Sequence, residues 1–85
     1  MSDKPRQADG LDITEVDDGL VVFEPTNRRV HHLNVTATLV FELCTGENDL
    51  DEIVNVVRTA FGLPDAPAEE IHAIVTSLRN ELLLV

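Results

Sequence analysis

The feature that most constrains this chain is a strand pattern that runs directly into a capped helix. It occupies residues 28–46, with the sequence RRVHHLNVTATLVFELCTG. Residues 29–33 predict a short strand, and Asn34 predicts a helix start because its side-chain oxygen can accept the unpaired N–H groups of the first turn. The helix continues to Cys44 and ends before Gly46, where a left-handed backbone is least costly. A strand that passes straight into a helix leaves a groove beside it, and we expect the functional site there.

Two further strands are predicted upstream of this one. Residues 11–16 alternate apolar and polar side chains, which is the pattern of a strand. Asp18-Gly19 follows, a dipeptide typical of hairpin turns because both positions tolerate positive φ, and residues 20–24 (LVVFE) predict the second strand. Residues 25–27 (PTN) predict the next turn, with Asn27 in the left-handed position. The three strands are therefore expected to form an antiparallel meander.

The second helix has clear signals at both ends. Asp49 is the predicted N-cap, Glu52 completes a capping box, and Gly62 ends the helix. Apolar residues recur between these signals at helical spacing, as on the core-facing stripe of a surface helix. They are Leu50, Ile53, Val54, Val57 and Phe61.

The third helix is predicted from residue 67 onward. Pro67 suits its first turn, where the missing N–H is harmless, and the next residues, Glu69 and Glu70, suit the positive end of the helix dipole. The apolar face carries Ile71, Ile74, Val75 and Leu78. Residues 82–85 (LLLV) are too apolar to remain in water and are expected to fold back onto the core. The whole pattern predicts an α+β fold of winged-helix type, with three antiparallel strands followed by three helices.

Length and composition indicate one small folded domain. The 85 residues suffice for a single modest core, which we assign to residues 11–85, with residues 1–10 as a flexible polar tail. No apolar run approaches the roughly 20 residues that a bilayer-spanning helix needs. The first residues lack the apolar core of a signal peptide. We therefore expect a cytoplasmic protein without a membrane partner.

The charge of the chain argues against nucleic-acid binding. The formal net charge is −10, so phosphate backbones would be repelled, whereas a basic peptide or protein would be attracted. A winged-helix regulator that binds DNA remains an alternative. Its third helix would, however, bring Glu69, Glu70 and Glu81 toward the phosphates against a single Arg79.

The side chains that could carry chemistry do not form a recognisable site. His31 and His32 are adjacent, so on a strand they point to opposite faces and do not readily bind one metal ion. Cys44 lacks the setting that lowers a thiol pKa, and we interpret it as a small buried hydrophobe. The many carboxylates are best explained as a solubilising surface. The sequence therefore predicts a non-catalytic protein with no cofactor and no metal site.

The open edge of the third strand is the remaining candidate site. A strand edge exposes unpaired N–H and C=O groups, which are either covered or used for binding. A peptide added to such an edge gains main-chain hydrogen bonds, and neighbouring pockets read its alternate side chains. Three interpretations remain open at this point: a covered edge, a peptide-binding edge, and a module that dimerises edge to edge.

Several short stretches between residues 18 and 85 form an ordered set. They are Asp18-Gly19 with the strand 20–23, VHHLN at 30–34 leading into Thr36-Ala37, FEL at 41–43 before CTG at 44–46, LDEI at 50–53, and Leu78. No single stretch is highly specific, but the ordered set is a much stronger signal than any of its members. Together they resemble the PqqD-like proteins, small recognition domains for the leader segments of ribosomally made, modified peptides. The resemblance departs from the family at Ala73, where an acidic residue is frequent, and at Leu82, where a glycine is usual.

The resemblance implies that a precursor leader peptide docks as an added strand on the third strand, in a cleft walled by the third helix. The site residues that it implies are Arg29, Val30, His31, His32, Leu33, His72, Val75, Thr76 and Arg79. It also implies a second partner, a peptide maturation enzyme such as a radical SAM enzyme. The chain would hold the precursor and present it to that enzyme.

Overall fold

The computed structural model describes residues 3–85, in which three strands precede three helices. The strands are β1 (Asp12–Val16), β2 (Gly19–Glu24) and β3 (Arg29–Leu33), which form one antiparallel sheet in the order β1-β2-β3. The helices are α1 (Val35–Leu43), α2 (Leu50–Ala60) and α3 (Ala68–Asn80). None of these helices is long and apolar enough to cross a membrane. The predicted α+β fold is confirmed, and β3 has the predicted bounds.

The helices cover one face of the sheet. Leu20 is paired with Leu33, and Val22 with His31, so these side chains share the covered face. The largest fully buried side chains of the core include Val22, Val40, Phe41, Ile53, Ile71 and Leu83. Most of the sheet's core residues therefore come from the central strand β2, with Leu33 added from β3, whereas every residue of β1 is exposed.

The first turn differs by one residue from the prediction. β1 and β2 are joined by Asp17 and Asp18, and Gly19 is already the first residue of β2, paired with Val16. Gly19 is needed for a different reason: its φ is +151°, and a Cβ at this position would collide with the carbonyl oxygen of Leu33. The glycine therefore permits β2 to approach the end of β3.

The turn between β2 and β3 also differs from the prediction. Arg28, and not Asn27, has the left-handed backbone, with φ at 54°, and its N–H donates to the carbonyl of Pro25 at 3.3 Å. The carboxylate of Glu24, a residue only 3% exposed, accepts the N–H groups of Thr26 and Asn27 at 2.6 and 3.1 Å. Burial opposes the charged form, but these backbone hydrogen bonds outweigh it and lower the pKa of Glu24 from its ordinary value. A buried carboxylate therefore organises this turn.

Two of the three helices begin at their predicted caps. Oδ1 of Asn34 accepts a first-turn N–H of α1 at 2.9 Å. Asp49 and Glu52 exchange the two hydrogen bonds of a capping box, at 2.8 and 3.0 Å. α3 begins slightly later than predicted, because Pro67 occupies its N-cap and not its first turn.

Two apolar segments that were predicted to pack on the core are only partly buried. Phe61, predicted to face the core, is 41% exposed, because the backbone reverses at Gly62, with φ at +62°, directly after α2. The C-terminal tail folds back as predicted, and Leu83 and Leu84 are buried. Leu82, at φ +65°, turns its side chain outward.

The N-terminal segment is not the free tail predicted over residues 1–10. Residues 1 and 2 lie outside the described residues, but Pro5 is fully buried. Backbone hydrogen bonds join the segment to the α1–α2 link and to the C-terminal tail. They run from Gly46 N to Pro5 O (3.0 Å), from Gln7 N to Cys44 O (3.0 Å), from Ala8 N to Leu83 O (2.9 Å) and from Val85 N to Arg6 O (2.8 Å). These bonds join main-chain groups, so the polar side chains of residues 1–10 gave no indication of them.

Candidate functional site

The first hairpin determines which way the backbone groups of β2 point. Val16 and Gly19 flank a two-residue turn, so they form the hydrogen-bonded pair that closes the hairpin. The direction of the N–H and C=O groups alternates along a strand. Leu20 and Val22 therefore direct their backbone groups toward β3.

The same alternation leaves part of β3 unpaired. Leu33 and His31 are the partners of Leu20 and Val22, so their backbone groups point back to β2. Val30 and His32 direct their N–H and C=O groups to the free edge. Within residues 3–85 no further backbone hydrogen bond involves them. β3 thus offers two N–H groups and two C=O groups to an added strand.

A groove of about 330 Å³ runs between this edge and α3, and we call it the β3/α3 groove. It combines apolar side chains with a smaller number of polar ones. The apolar residues are Leu33, Ala37, Ala73, Ile74 and Leu78, and the polar residues are His32, Asn34, Ser77 and Glu81. An apolar groove beside an unpaired strand edge is suited to an extended peptide whose alternate side chains enter the groove.

Glu81 connects the two walls of the β3/α3 groove. Its Oε2 lies 2.8 Å from Nδ1 of His31 on β3, and its Oε1 accepts a hydrogen bond from Ser77 on α3 at 3.3 Å. The side chain of His31 is 14% exposed, and its Nε2 is buried without a hydrogen-bond partner in the described part of the chain. This contact therefore fixes the distance between β3 and the end of α3.

The opposite face of β3 is open to solvent. Val30 is 65% exposed, and Nε2 of His32 lies 3.2 Å from Oδ1 of Asp18 in an exposed contact. His31 and His32 therefore point to opposite faces, as predicted. A strand added to β3 would present alternate side chains to this open face and to the groove.

The four residues predicted on α3 do not line the groove. Val75 is buried in the core at 2% exposure. Arg79 donates two hydrogen bonds to Asp3, at 2.7 and 2.6 Å, and His72 lies beside Asp3 in a separate depression. Thr76 is exposed and forms no part of the groove lining. Of the predicted residues, the structure gathers His32 and Leu33 in that lining.

The predicted and the observed lining residues of α3 differ because the two sets lie at different angles around the helix axis. The buried stripe of the helix is centred on Val75 and Leu78. Ile74 and Ser77 lie on one flank of this stripe. The predicted residues His72, Thr76 and Arg79 lie on the other flank, roughly 70–130° from the centre of the stripe. Periodicity locates the stripe but not the flank that faces β3. Ala73, which departs from the family pattern, is part of the groove lining.

The ion pair with Asp3 holds the side chain of Arg79 outside the groove. Its hydrogen bonds lower the pKa of Asp3 from the ordinary value, and the bond to Asp3 correspondingly raises the pKa of Arg79. The pair attaches the N-terminal segment to α3.

Among the described residues, no three His, Cys, Asp or Glu side chains cluster in a way that could hold a metal ion.

Comparisons with known proteins point to one family. The family model described as coenzyme PQQ synthesis protein D (PqqD) matches residues 19–84. The fold is similar to TbiB1 in complex with the TbiA(β) leader peptide, with a TM-score of 0.79 and 20% identity over 93% of both chains. It is also similar to a lasso peptide synthetase B1 complexed with the leader peptide, with a TM-score of 0.81 and 19% identity over 98% of this chain and 99% of the other. No curated protein matches the sequence.

Proposed function

Because the chain belongs to the PqqD family, we propose that it binds the leader segment of a ribosomally synthesised precursor peptide. The leader adds to β3 as a fourth strand and occupies the β3/α3 groove. The chain then presents the precursor to a maturation enzyme, for example a radical SAM enzyme. It acts in the cytoplasm, without a cofactor or metal of its own.

The observation that carries this proposal is the unpaired edge of β3 beside an apolar groove. A peptide strand that pairs with Val30 and His32 gains up to four main-chain hydrogen bonds, two at each residue. These bonds supply affinity for any extended sequence. Specificity comes from the alternate side chains that enter the groove beside Ile74 and Leu78.

The similar structures support this choice of ligand. Both similar proteins were captured with a leader peptide bound, and each matches the fold over more than nine-tenths of its length. Peptide binding by proteins of the same fold favours a β3 edge that is used for binding over one that is merely covered. The same comparison favours leader binding over edge-to-edge dimerisation.

A non-catalytic role agrees with the state of the chain's single cysteine. Cys44 is buried, its thiol donates to the carbonyl of Val40 at 3.1 Å, and burial raises the pKa of the thiol to about 11. A thiolate nucleophile is therefore scarce at neutral pH. The chain would accelerate maturation by raising the effective concentration of precursor at the enzyme.

Two measurements test the proposal. Fluorescence polarisation of labelled leader peptides from precursors encoded beside this gene should show saturable binding, micromolar or tighter. The cognate maturation enzyme should modify its precursor faster in the presence of the chain, and a precursor without its leader should gain nothing. If no neighbouring leader binds the well-folded protein, the proposal is wrong and edge-to-edge dimerisation becomes the better account, which sedimentation at several concentrations would reveal.

A further inference from the structure

β1 forms a second open edge of the sheet. It packs against β2 alone among the described elements, and all of its residues are exposed. The hairpin pairing directs the backbone groups of Thr14 and Val16 toward β2. Ile13 and Glu15 therefore direct their N–H and C=O groups outward, and no backbone hydrogen bond outside the sheet involves them within residues 3–85.

This edge borders a cleft of about 470 Å³ between β1 and α1, which we call the β1/α1 cleft. Ile13 and Glu15 lie opposite buried residues of β2, so their side chains are on the helix-facing side of the sheet. Two exposed apolar side chains line the cleft, Ile13 at 44% and Val35 at 54% exposure. An unpaired edge beside clustered apolar side chains is again the arrangement that accepts an added strand.

The charge around the cleft identifies the kind of strand that fits. Glu15, Asp17 and Glu42 line it, and its lining includes no lysine or arginine among the described residues. A second copy of this chain would bring the same carboxylates together, and its net charge of −10 would oppose the approach. A long basic side chain satisfies both features, because its aliphatic stem can pack on Ile13 and Val35 while its charged end reaches the carboxylates.

We propose that the β1 edge and the β1/α1 cleft bind an extended, lysine- or arginine-rich segment of a partner protein as an added strand. β1 and β3 are opposite edges of one sheet, so both can be occupied at the same time. The chain would then connect a peptide on β3 with a protein on β1 through β2. This second surface does not depend on what β3 binds.

The test uses a synthetic probe and the full-length protein labelled with ¹⁵N. The probe is an acetylated six-residue peptide of alternating lysine and valine, and a glutamate–valine peptide serves as the charge control. The amide signals of Ile13 and Glu15 should shift saturably with the lysine probe and not with the glutamate peptide. A double variant, Glu15→Lys with Glu42→Lys, should weaken lysine-probe binding at least tenfold without altering the backbone.

The matched control carries the same charge change at a distance from the cleft. Glu47 and Asp65 are exposed and lie in the links before α2 and after it, so Glu47→Lys with Asp65→Lys should change probe affinity less than threefold. Equal weakening by both double variants would overturn the proposal, because binding would then reflect net charge alone. Shifts centred on Val30 and His32, or the absence of any saturable shift, would overturn it as well.

Discussion

Nδ1 of His31 lies 2.8 Å from Oε2 of Glu81, so one side-chain contact joins the middle of β3 to the residue that ends α3. The imidazole is mostly buried, and its other nitrogen lacks a hydrogen-bond partner in the described part of the chain. Glu81 therefore supplies the ring's one polar contact there. The same carboxylate lines the β3/α3 groove, which couples the stability of the fold to the shape of the site.

Glu81→Ala should destabilise the fold, because it leaves a buried histidine without any polar contact within the described residues. We expect a loss of about 1–3 kcal/mol, the usual cost of an unsatisfied buried polar group. Urea denaturation at neutral pH measures it. Glu47→Ala, which removes an exposed carboxylate, should change stability by less than about 0.5 kcal/mol. Equal effects of the two variants would show that the contact with His31 contributes nothing.

Ala73→Trp should block the β3/α3 groove, because Ala73 lies in its lining and is itself exposed. We expect leader affinity to fall at least tenfold, which corresponds to about 1.4 kcal/mol. Thr76→Trp is the matched control, because Thr76 is also an exposed residue of α3 but does not line the groove. Fluorescence polarisation should find its affinity within twofold of wild type. The reverse order of effects would mean that the leader contacts the α3 residues that the family resemblance implies.

These α3 positions show how far sequence reasoning reaches. The periodicity of Ile71, Val75 and Leu78 identified the buried stripe correctly. Which flank faces β3 depends on how the helix is placed over the sheet, and no local pattern encodes that placement. β3 was predicted with its correct bounds because its end is marked by a chemical signal, the cap residue Asn34.

The errors at the first turn and at the N-terminal segment have a similar origin. Asp18-Gly19 suggested the turn itself, yet Gly19 is needed for its close approach to Leu33, a contact between residues distant in sequence. Pro5 is buried because backbone groups on the α1–α2 link and the C-terminal tail pair with its segment. Both features depend on tertiary contacts, which local composition does not record.

Gly19→Ala should be strongly destabilising. Its φ of +151° is unfavourable for any side chain, and the new Cβ would collide with the carbonyl oxygen of Leu33. We expect a loss of more than about 2 kcal/mol, from strain and displaced backbone together. Gly10→Ala separates these causes, since Gly10 also has a positive φ, of 77°, but a Cβ there would meet no atom within 4 Å. Urea denaturation should show that Gly10→Ala costs only about 1–2 kcal/mol; equal losses would mean that the approach to Leu33 is unimportant.

Asp3→Asn should reduce stability in a pH-dependent way. The hydrogen bonds from Arg79 lower the pKa of Asp3 from its ordinary value of 3.8, so the folded chain binds this proton less readily than the unfolded chain. The stabilisation is therefore present above the unfolded pKa and is lost as the pH falls through the folded one. Because both side chains are partly exposed, we expect at most about 1 kcal/mol at pH 7. Urea denaturation across pH 2.5–7 should show the difference between wild type and variant shrinking below about pH 4, and a difference that stays constant with pH would contradict this account.

The most direct test of the account compares proline substitutions at the two open edges of the sheet. Val30→Pro removes an outward N–H from β3, and Ile13→Pro removes the equivalent N–H from β1, while neither residue's backbone pairs with β2. Circular dichroism first establishes that both variants fold, and fluorescence polarisation then measures leader affinity. We predict that Val30→Pro weakens leader binding at least tenfold and that Ile13→Pro leaves it within twofold of wild type. Unchanged binding by a folded Val30→Pro variant would contradict leader recognition at the β3 edge.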